Sequence, residues 1–132
     1  MAWPDMIPYI RYEDPRAMLD WLADAFGFER HAGYEDDGEI VHAEVAFGTG
    51  MFMVGPTRGD DPTSAKTPNQ LGGQATGGIY VVVDDPDAHC ERARAAGAEI
   101  VRDVEDMDYG SREYSARDPE GHTWSFGTYR PE

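Results

Sequence analysis

The sequence predicts an α+β protein in which two βαβββ modules follow one another along the chain. Two observations carry that prediction. The run Tyr9-Ile10-Arg11-Tyr12-Glu13-Asp14-Pro15-Arg16-Ala17 returns 71 positions later as Tyr80-Val81-Val82-Val83-Asp84-Asp85-Pro86-Asp87-Ala88. Each copy then reads as about three helical turns that stop at a glycine, Gly27 or Gly97, before three strands. A fixed internal repeat names an architecture, because each copy is one supersecondary unit. The expected outcome is a paired-module fold with a cavity between the modules.

The elements follow in order. Ile7 to Tyr12 is rich in aromatic and β-branched residues and predicts a strand. Asp14 is placed to cap a helix, with Pro15 at its first position, where a missing N–H costs nothing. Met18, Leu19, Trp21, Leu22, Ala25 and Phe26 recur at helical spacing, and Gly27 suits the left-handed residue that ends the helix. Strands are expected over 28–35, 39–47 and 50–55, with turns at Asp36-Asp37-Gly38 and Gly48-Thr49-Gly50. In the second copy a strand over 78–83 leads to a helix opened by Asp85-Pro86 and ended by Gly97. Strands near 98–104, 111–117 and 122–128 follow, with a turn at Asp118-Pro119-Glu120-Gly121. The segment 56–77, rich in Gly, Pro and Thr, reads as a linker or a functional flap. The organisation is thus one domain over 1–132: module one 1–55, linker 56–77, module two 78–132. Modules of about 55 residues would be marginal alone, so a shared core is expected.

Charge restricts the partners. Against 26 acidic residues stand 11 basic ones, a formal net charge of −15. Nucleic acid and anionic membrane surfaces, which demand clustered Lys and Arg, are not expected partners. Such a field is compatible with attracting cationic ligands. Cys90 is the single cysteine, so no intrachain disulfide can form and a reducing compartment suits the chain. The opening Met1-Ala-Trp-Pro-Asp has no basic, apolar leader pattern, and a cytoplasmic location is the expectation.

The duplicated unit, closing with Asp118-Pro119-Glu120-Gly121-His122-Thr123-Trp124-Ser125-Phe126, resembles the vicinal oxygen chelate superfamily. That group holds glyoxalase I, bleomycin-resistance proteins and extradiol dioxygenases. The stretch Tyr109 to His122 is similar to its glyoxalase-like and PhnB-like branch. The resemblance implies that each module is a curled mixed sheet with a helix on the outside and a cavity on the concave side. It also implies a homodimer.

Enzymes of this group hold one divalent metal by four side chains, typically His and Glu, from the first and last strands of each module. The resemblance places those positions at Ile7, Met53, Gly78 and Ser125. None suits a hard or borderline cation, so neither a metal nor another cofactor is expected. An alternative set, His42 and Glu44 two apart on a strand with His122 from a neighbouring turn, is a weak signal. His31 and His89 have no acidic partner at suitable spacing, and Cys90 points about 100° away from its helical neighbour His89. No serine lies in a nucleophile elbow.

Strand alternation then gives a list of cavity-facing residues. Ile7 inward brings Tyr9 and Arg11 with it, Met53 brings Met51, and Gly78 brings Tyr80. Val41, Val45 and Phe47 are expected under the helix, leaving His42 and Glu44 inward; Arg112 and Tyr114 are expected inward by matching register. The expected ligand-binding set is therefore Tyr9, Arg11, His42, Glu44, Met51, Met53, Tyr80, Arg112 and Tyr114. Methionine and aromatics suit a bulky planar molecule, although Met51, Met53 and Tyr9 could equally fill a core. His42 with Glu44 could be a structural pair, and Arg11 with Glu44 a cross-strand ion pair. The expected function is metal-free binding that sequesters a cationic or aromatic small molecule such as an antibiotic. The alternative is a glyoxalase-like isomerase, lyase or dioxygenase in which His42 or Glu44 is the base and Arg11 or Arg112 stabilises negative charge.

Overall fold

The repeated Asp-Pro pairs start both helices. Asp14 Oδ1 accepts from the backbone N–H of Ala17 at 3.2 Å, and Asp85 Oδ1 from that of Ala88 at 3.1 Å. The computed structural model describes residues 3–132. Module one runs β1 (Tyr9–Tyr12), α1 (Pro15–Phe26), β2 (Glu29–Asp36), β3 (Glu39–Phe47) and β4 (Gly50–Pro56). Module two runs β5 (Gly78–Val82), α2 (Pro86–Ala95), β6 (Glu99–Asp106), β7 (Arg112–Arg117) and β8 (Thr123–Gly127). The α+β class and the two βαβββ units are as the sequence predicts.

Each module is a four-stranded mixed sheet, ordered β1-β4-β3-β2 in one and β5-β8-β7-β6 in the other. Both join their first and last strands in parallel, Tyr9 beside Met53 and Tyr80 beside Ser125. The inner hairpins match too: Glu44 lies opposite Met53, and Ser115 opposite Ser125. Residues directly opposite share a face, so these pairs define equivalent positions in the two sheets.

The helices share one core. Phe26 and Phe28 of module one meet Trp124 and Phe126 of module two, with ring centroids between 4.7 and 6.4 Å apart. Ile10, Tyr12, Val45, Phe52, Val54, Trp124 and Phe126 all point to this helix side, Val45 as expected. Burying each such side chain stabilises the fold by about 1.5–3 kcal/mol. A polar contribution comes from α2, which completes the carboxyl end of α1. Arg92 donates to the carbonyls of Asp24 at 2.8 Å and Ala23 at 2.9 Å, and Trp21 Nε1 donates back to Ala96 O at 2.8 Å. These carbonyls lie at helix ends, where intrahelical partners run out, although Ala23 O also accepts from the capping N–H of Gly27 at 3.1 Å.

The Asp118–Gly121 turn clasps module two onto module one. Asp118 Oδ2 accepts from Tyr12 Oη at 2.6 Å and Trp124 Nε1 at 3.0 Å, while Oδ1 takes the backbone N–H groups of Glu120 and His122. Glu120 accepts from the backbone of Glu13 and Asp14 just ahead of α1. Part of the 56–77 segment docks on the same turn: Thr67 is fully buried and caps a 3-10 turn, Pro68–Leu71, whose Asn69 donates to Pro119 O at 3.0 Å.

Two sequence expectations of side-chain direction are corrected. Val41 is exposed rather than packed under the helix. A bulge puts it out of step, since Tyr34 pairs with His42 whereas the next residue, Glu35, pairs with Ile40. On β7 the whole register differs by one residue. Glu113 and Ser115, not Arg112 and Tyr114, share the face of Ser125. A slip of one residue exchanges every side chain between faces.

Candidate functional site

The expected ligand-binding residues fall into three places. Tyr9, Arg11, His42, Glu44 and Met53 share the helix-free face of module one. His42 Nε2 stands 3.5 Å from Glu44 Oε2, and the Tyr34 ring lies 5.7 Å from the imidazole. Arg11 lies over the Tyr9 ring at 5.6 Å and donates to Pro56 O at 3.4 Å rather than to Glu44. Its path crosses Gly55, where a Cβ would come within 2.7 Å of a terminal guanidinium nitrogen. Arg11 Nε is buried without an acceptor.

Met51 and Tyr80 line a cleft of about 760 Å³ between the modules. Phe28, Phe47, Phe52 and Trp124 give it aromatic walls, β5 runs along one side, and α2 contributes Ala88, His89 and Arg92. Asp84, Asp85 and Arg130 supply charge at its border.

Arg112 and Tyr114 belong to neither place. Arg112 turns to the helix side and forms ion pairs with Asp87 of α2 at 2.8 Å and Asp106 at 3.0 Å, which hold its pKa up. Tyr114 is wholly buried, and its hydroxyl lies 2.5 Å from His89 Nδ1. The other imidazole nitrogen, Nε2, is 2.8 Å from the carbonyl of Phe26. A carbonyl can only accept, so Nε2 carries the proton and Nδ1 accepts from Tyr114. Burial raises the Tyr114 pKa and lowers that of His89.

The position that matches His42 in module two is Glu113, each lying opposite a glycine of the last strand by the shared register. Glu113 is only 4% exposed, yet it sits beneath exposed rings on the helix-free face. Tyr109 Oη donates to its Oε1 at 2.6 Å and Tyr80 Oη to its Oε2 at 3.1 Å; Arg102 reaches Oε1 at 3.4 Å. Burial pushes the Glu113 pKa up, but the hydrogen bonds from Tyr109 and Tyr80, with the nearby Ser111 hydroxyl and the Arg102 charge, outweigh it and hold the carboxylate below its usual range. Donating to that carboxylate pushes the Tyr109 phenol up to about 12. Gly127 makes the arrangement possible, since a Cβ there would come within 2.4 Å of Tyr80 Oη and 2.5 Å of Glu113 Cγ. Sequence reasoning missed Glu113 and Tyr109. The repeat offset of 71 that takes Tyr9 to Tyr80 also takes His42 to Glu113, and would have found it.

A metal of the kind the resemblance implies does not fit these residues. Met53 and Ser125 stand beside Tyr9 and Tyr80, and Ile7 and Gly78 lie two residues earlier; no imidazole or carboxylate occupies any of the four positions. Nor does the His42, Glu44 and His122 set assemble, because His122 Nε2 bonds the Arg11 carbonyl at 2.9 Å instead. Among the described residues no group of three or more His, Cys, Asp or Glu side chains could hold a metal ion. Likewise, no described helix is long and apolar enough to cross a membrane.

Duplicated βαβββ units around such a cleft define a class, and the comparisons agree. The pattern of the Glyoxalase/Bleomycin resistance protein/Dioxygenase superfamily matches residues 6–126, and the chain belongs to that superfamily. It is 35% identical to TioX from Micromonospora sp. ML1, whose crystal structure superposes with a TM-score of 0.76 over 98% of each chain. It is 32% identical over 129 residues to the uncharacterized protein Rv0887c of Mycobacterium tuberculosis, covering 94% of this chain and 74% of that one. A superfamily enzyme from Burkholderia phytofirmans PsJN is 16% identical, covers 91% of this chain and 94% of its own, and shares the fold at a TM-score of 0.67.

Proposed function

We propose that this protein binds a planar aromatic or cationic small molecule, of the kind an antibiotic presents, and sequesters it without a resident metal. The observation that carries the reading is the inter-module cleft of about 760 Å³ with its walls of Phe28, Phe47, Met51, Phe52 and Trp124. That volume lies in the roughly 300–1,000 Å³ range of small-molecule sites, and aromatic and methionine walls suit flat apolar bodies. The unsuitability of Ile7, Met53, Gly78 and Ser125 as ligands supports binding over metal-assisted turnover. Membership of a superfamily that includes bleomycin-resistance proteins fits the same reading.

The working unit in this reading is a homodimer. The helix-free faces leave Tyr9, Tyr34, Tyr80 and Tyr109 exposed, and β1 and β5 are edge strands that need covering.

Fluorescence titration with phenazine, a neutral planar tricycle, tests the site, with sedimentation equilibrium on the same samples. Saturable quenching of tryptophan emission, to which Trp124 in the cleft wall contributes, is expected, unchanged by EDTA, in a protein that sediments as a dimer. Ala88→Phe, which fills the cleft from the exposed face of α2, should weaken binding about tenfold by overfilling. Absence of saturation, or indifference to Ala88→Phe, would remove the cleft from the function. Turnover of methylglyoxal hemithioacetal would replace sequestration by catalysis, and a monomer would remove the dimer.

A further inference from the structure

Outside the cleft, a buried carboxylate lies under the exposed aromatic surface of module two. Glu113 is a carboxylate with a side chain only 5% exposed. It is framed by two phenols, with a single guanidinium, Arg102, at 3.4 Å. Oε1 is shared by Tyr109 and, at the long distance of 3.4 Å, by Arg102. Oε2 has one donor in the structure, Tyr80. A carboxylate offers about four lone-pair sites, so Oε2 retains capacity for a further donor. Arg102 is an incomplete partner: its Nε is buried without a hydrogen bond and stands 3.8 Å from Glu105.

The aromatic frame is exposed while the charge beneath it is not. Tyr80, Tyr109 and Tyr129 are 39%, 56% and 49% exposed. Tyr109 and Tyr129 stand edge to face, their centroids 6.0 Å apart at 84°. The backbone N–H of Tyr129 donates to Tyr80 Oη at 3.1 Å, which ties the third ring to the first. A phenol that donates to a carboxylate becomes more electron-rich, so the ring attracts a cation more strongly. Gly127 keeps the space between Tyr80 and Glu113 free of a side chain. Tyr80 also lines the inter-module cleft, so the frame and the cleft share a wall.

We propose that Tyr80, Tyr109 and Tyr129 over Glu113 form a subsite for a protonated or quaternary nitrogen, carried by a ligand whose planar body occupies the cleft. This rests on the cleft being the binding site. It assigns charge recognition to Glu113, on module two, rather than to Glu44 on module one. The ligand class narrows to planar molecules bearing a cationic nitrogen, with a neutral analogue of the same shape bound less well.

Two probes with a planar tricyclic frame test the subsite: proflavine, a diamino-substituted cation at neutral pH, and phenazine, which is unsubstituted and neutral. Titrations run at about 0.15 M salt, where the Debye length of about 8 Å suppresses the long-range field. The native protein is expected to prefer proflavine about tenfold, within the strength of a desolvated cation–π contact. Glu113→Gln should remove that preference, bringing the ratio of the two affinities to about one. Asp20→Asn, which removes an equal charge from the exposed side of α1, should retain it. A preference that survives Glu113→Gln, or that falls equally in Asp20→Asn, overturns the subsite. Should Glu113→Gln fail to fold by circular dichroism, the Tyr109→Leu/Tyr129→Leu protein, altered only at exposed rings, is judged by the same criterion. Equal binding of the two probes by the native protein overturns this inference alone. Binding of neither overturns the cleft as well.

Discussion

Tyr114 donates its phenolic proton to Nδ1 of His89, joining the middle of β7 to the helix that covers it. The pair is held neutral from both ends, because Nε2 gives its own proton to Phe26 O. Here a strand residue expected to face a ligand instead anchors α2, and α2 in turn caps α1.

The neutral imidazole makes stability depend on pH. Burial depresses the His89 pKa first, with Arg92 adding to it and the Phe26 hydrogen bond opposing it. The unfolded chain therefore binds the proton more readily. Stability from His89 is complete above about pH 6.5, the unfolded value, and is lost as pH falls from there toward the folded pKa. Urea denaturation across that window should show a slope that His89→Asn reduces. Tyr114→Phe, which leaves Nδ1 without its donor, should cost about 1–2 kcal/mol at pH 7.5. Identical slopes for native and His89→Asn proteins would show that the ring does not titrate with folding.

Asp118 is predicted to be the most sensitive polar residue outside the cleft. Both of its oxygens accept two hydrogen bonds, and one of them ties Tyr12 to Trp124 across the module boundary. An amide in its place must turn an NH2 group toward two donors. Asp118→Asn should therefore lower the unfolding free energy by about 3 kcal/mol, since a buried charged acceptor is lost and its donors are stranded. A change in urea midpoint equivalent to less than about 1 kcal/mol would mean that the turn does not clasp the modules.

Gly55 and Gly127 occupy equivalent places in the two sheets but should respond differently to alanine. At Gly55 the obstructing atom is the free end of Arg11, which can swing aside. At Gly127 it is a hydrogen-bonded phenol, the middle of the Glu113 side chain and, at 3.1 Å, the Arg112 carbonyl. Gly127→Ala should cost about 2–3 kcal/mol in thermal or urea unfolding, within the range for overpacking, and Gly55→Ala less than about 1 kcal/mol. Equal costs would contradict the crowding around Tyr80 and Glu113.

Of the nine expected residues only Met51 and Tyr80 line the cleft, although the strand faces of module one were legible. Tyr9, Arg11, His42, Glu44 and Met53 share the face that alternation assigned them, because the register of β1, β3 and β4 follows from patterns within a few residues. Arg112 and Tyr114 were misassigned for want of one residue of register. Each face of β7 starts with a charged residue, Arg112 on one and Glu113 on the other, so hydrophobic alternation could not choose between them.

From residue order came the duplicated unit and the helix caps at Asp14 and Asp85 and, at four positions that the family resemblance marks, the lack of metal-binding side chains, because each depends on sequence pattern or on residue type. Tertiary structure alone decided that the aromatic cleft opens between the modules and that Glu113 accepts from Tyr80 and Tyr109. Those relationships arise only when Phe26 and Phe28 pack against Trp124 and Phe126 and hold the two sheets in one mutual orientation.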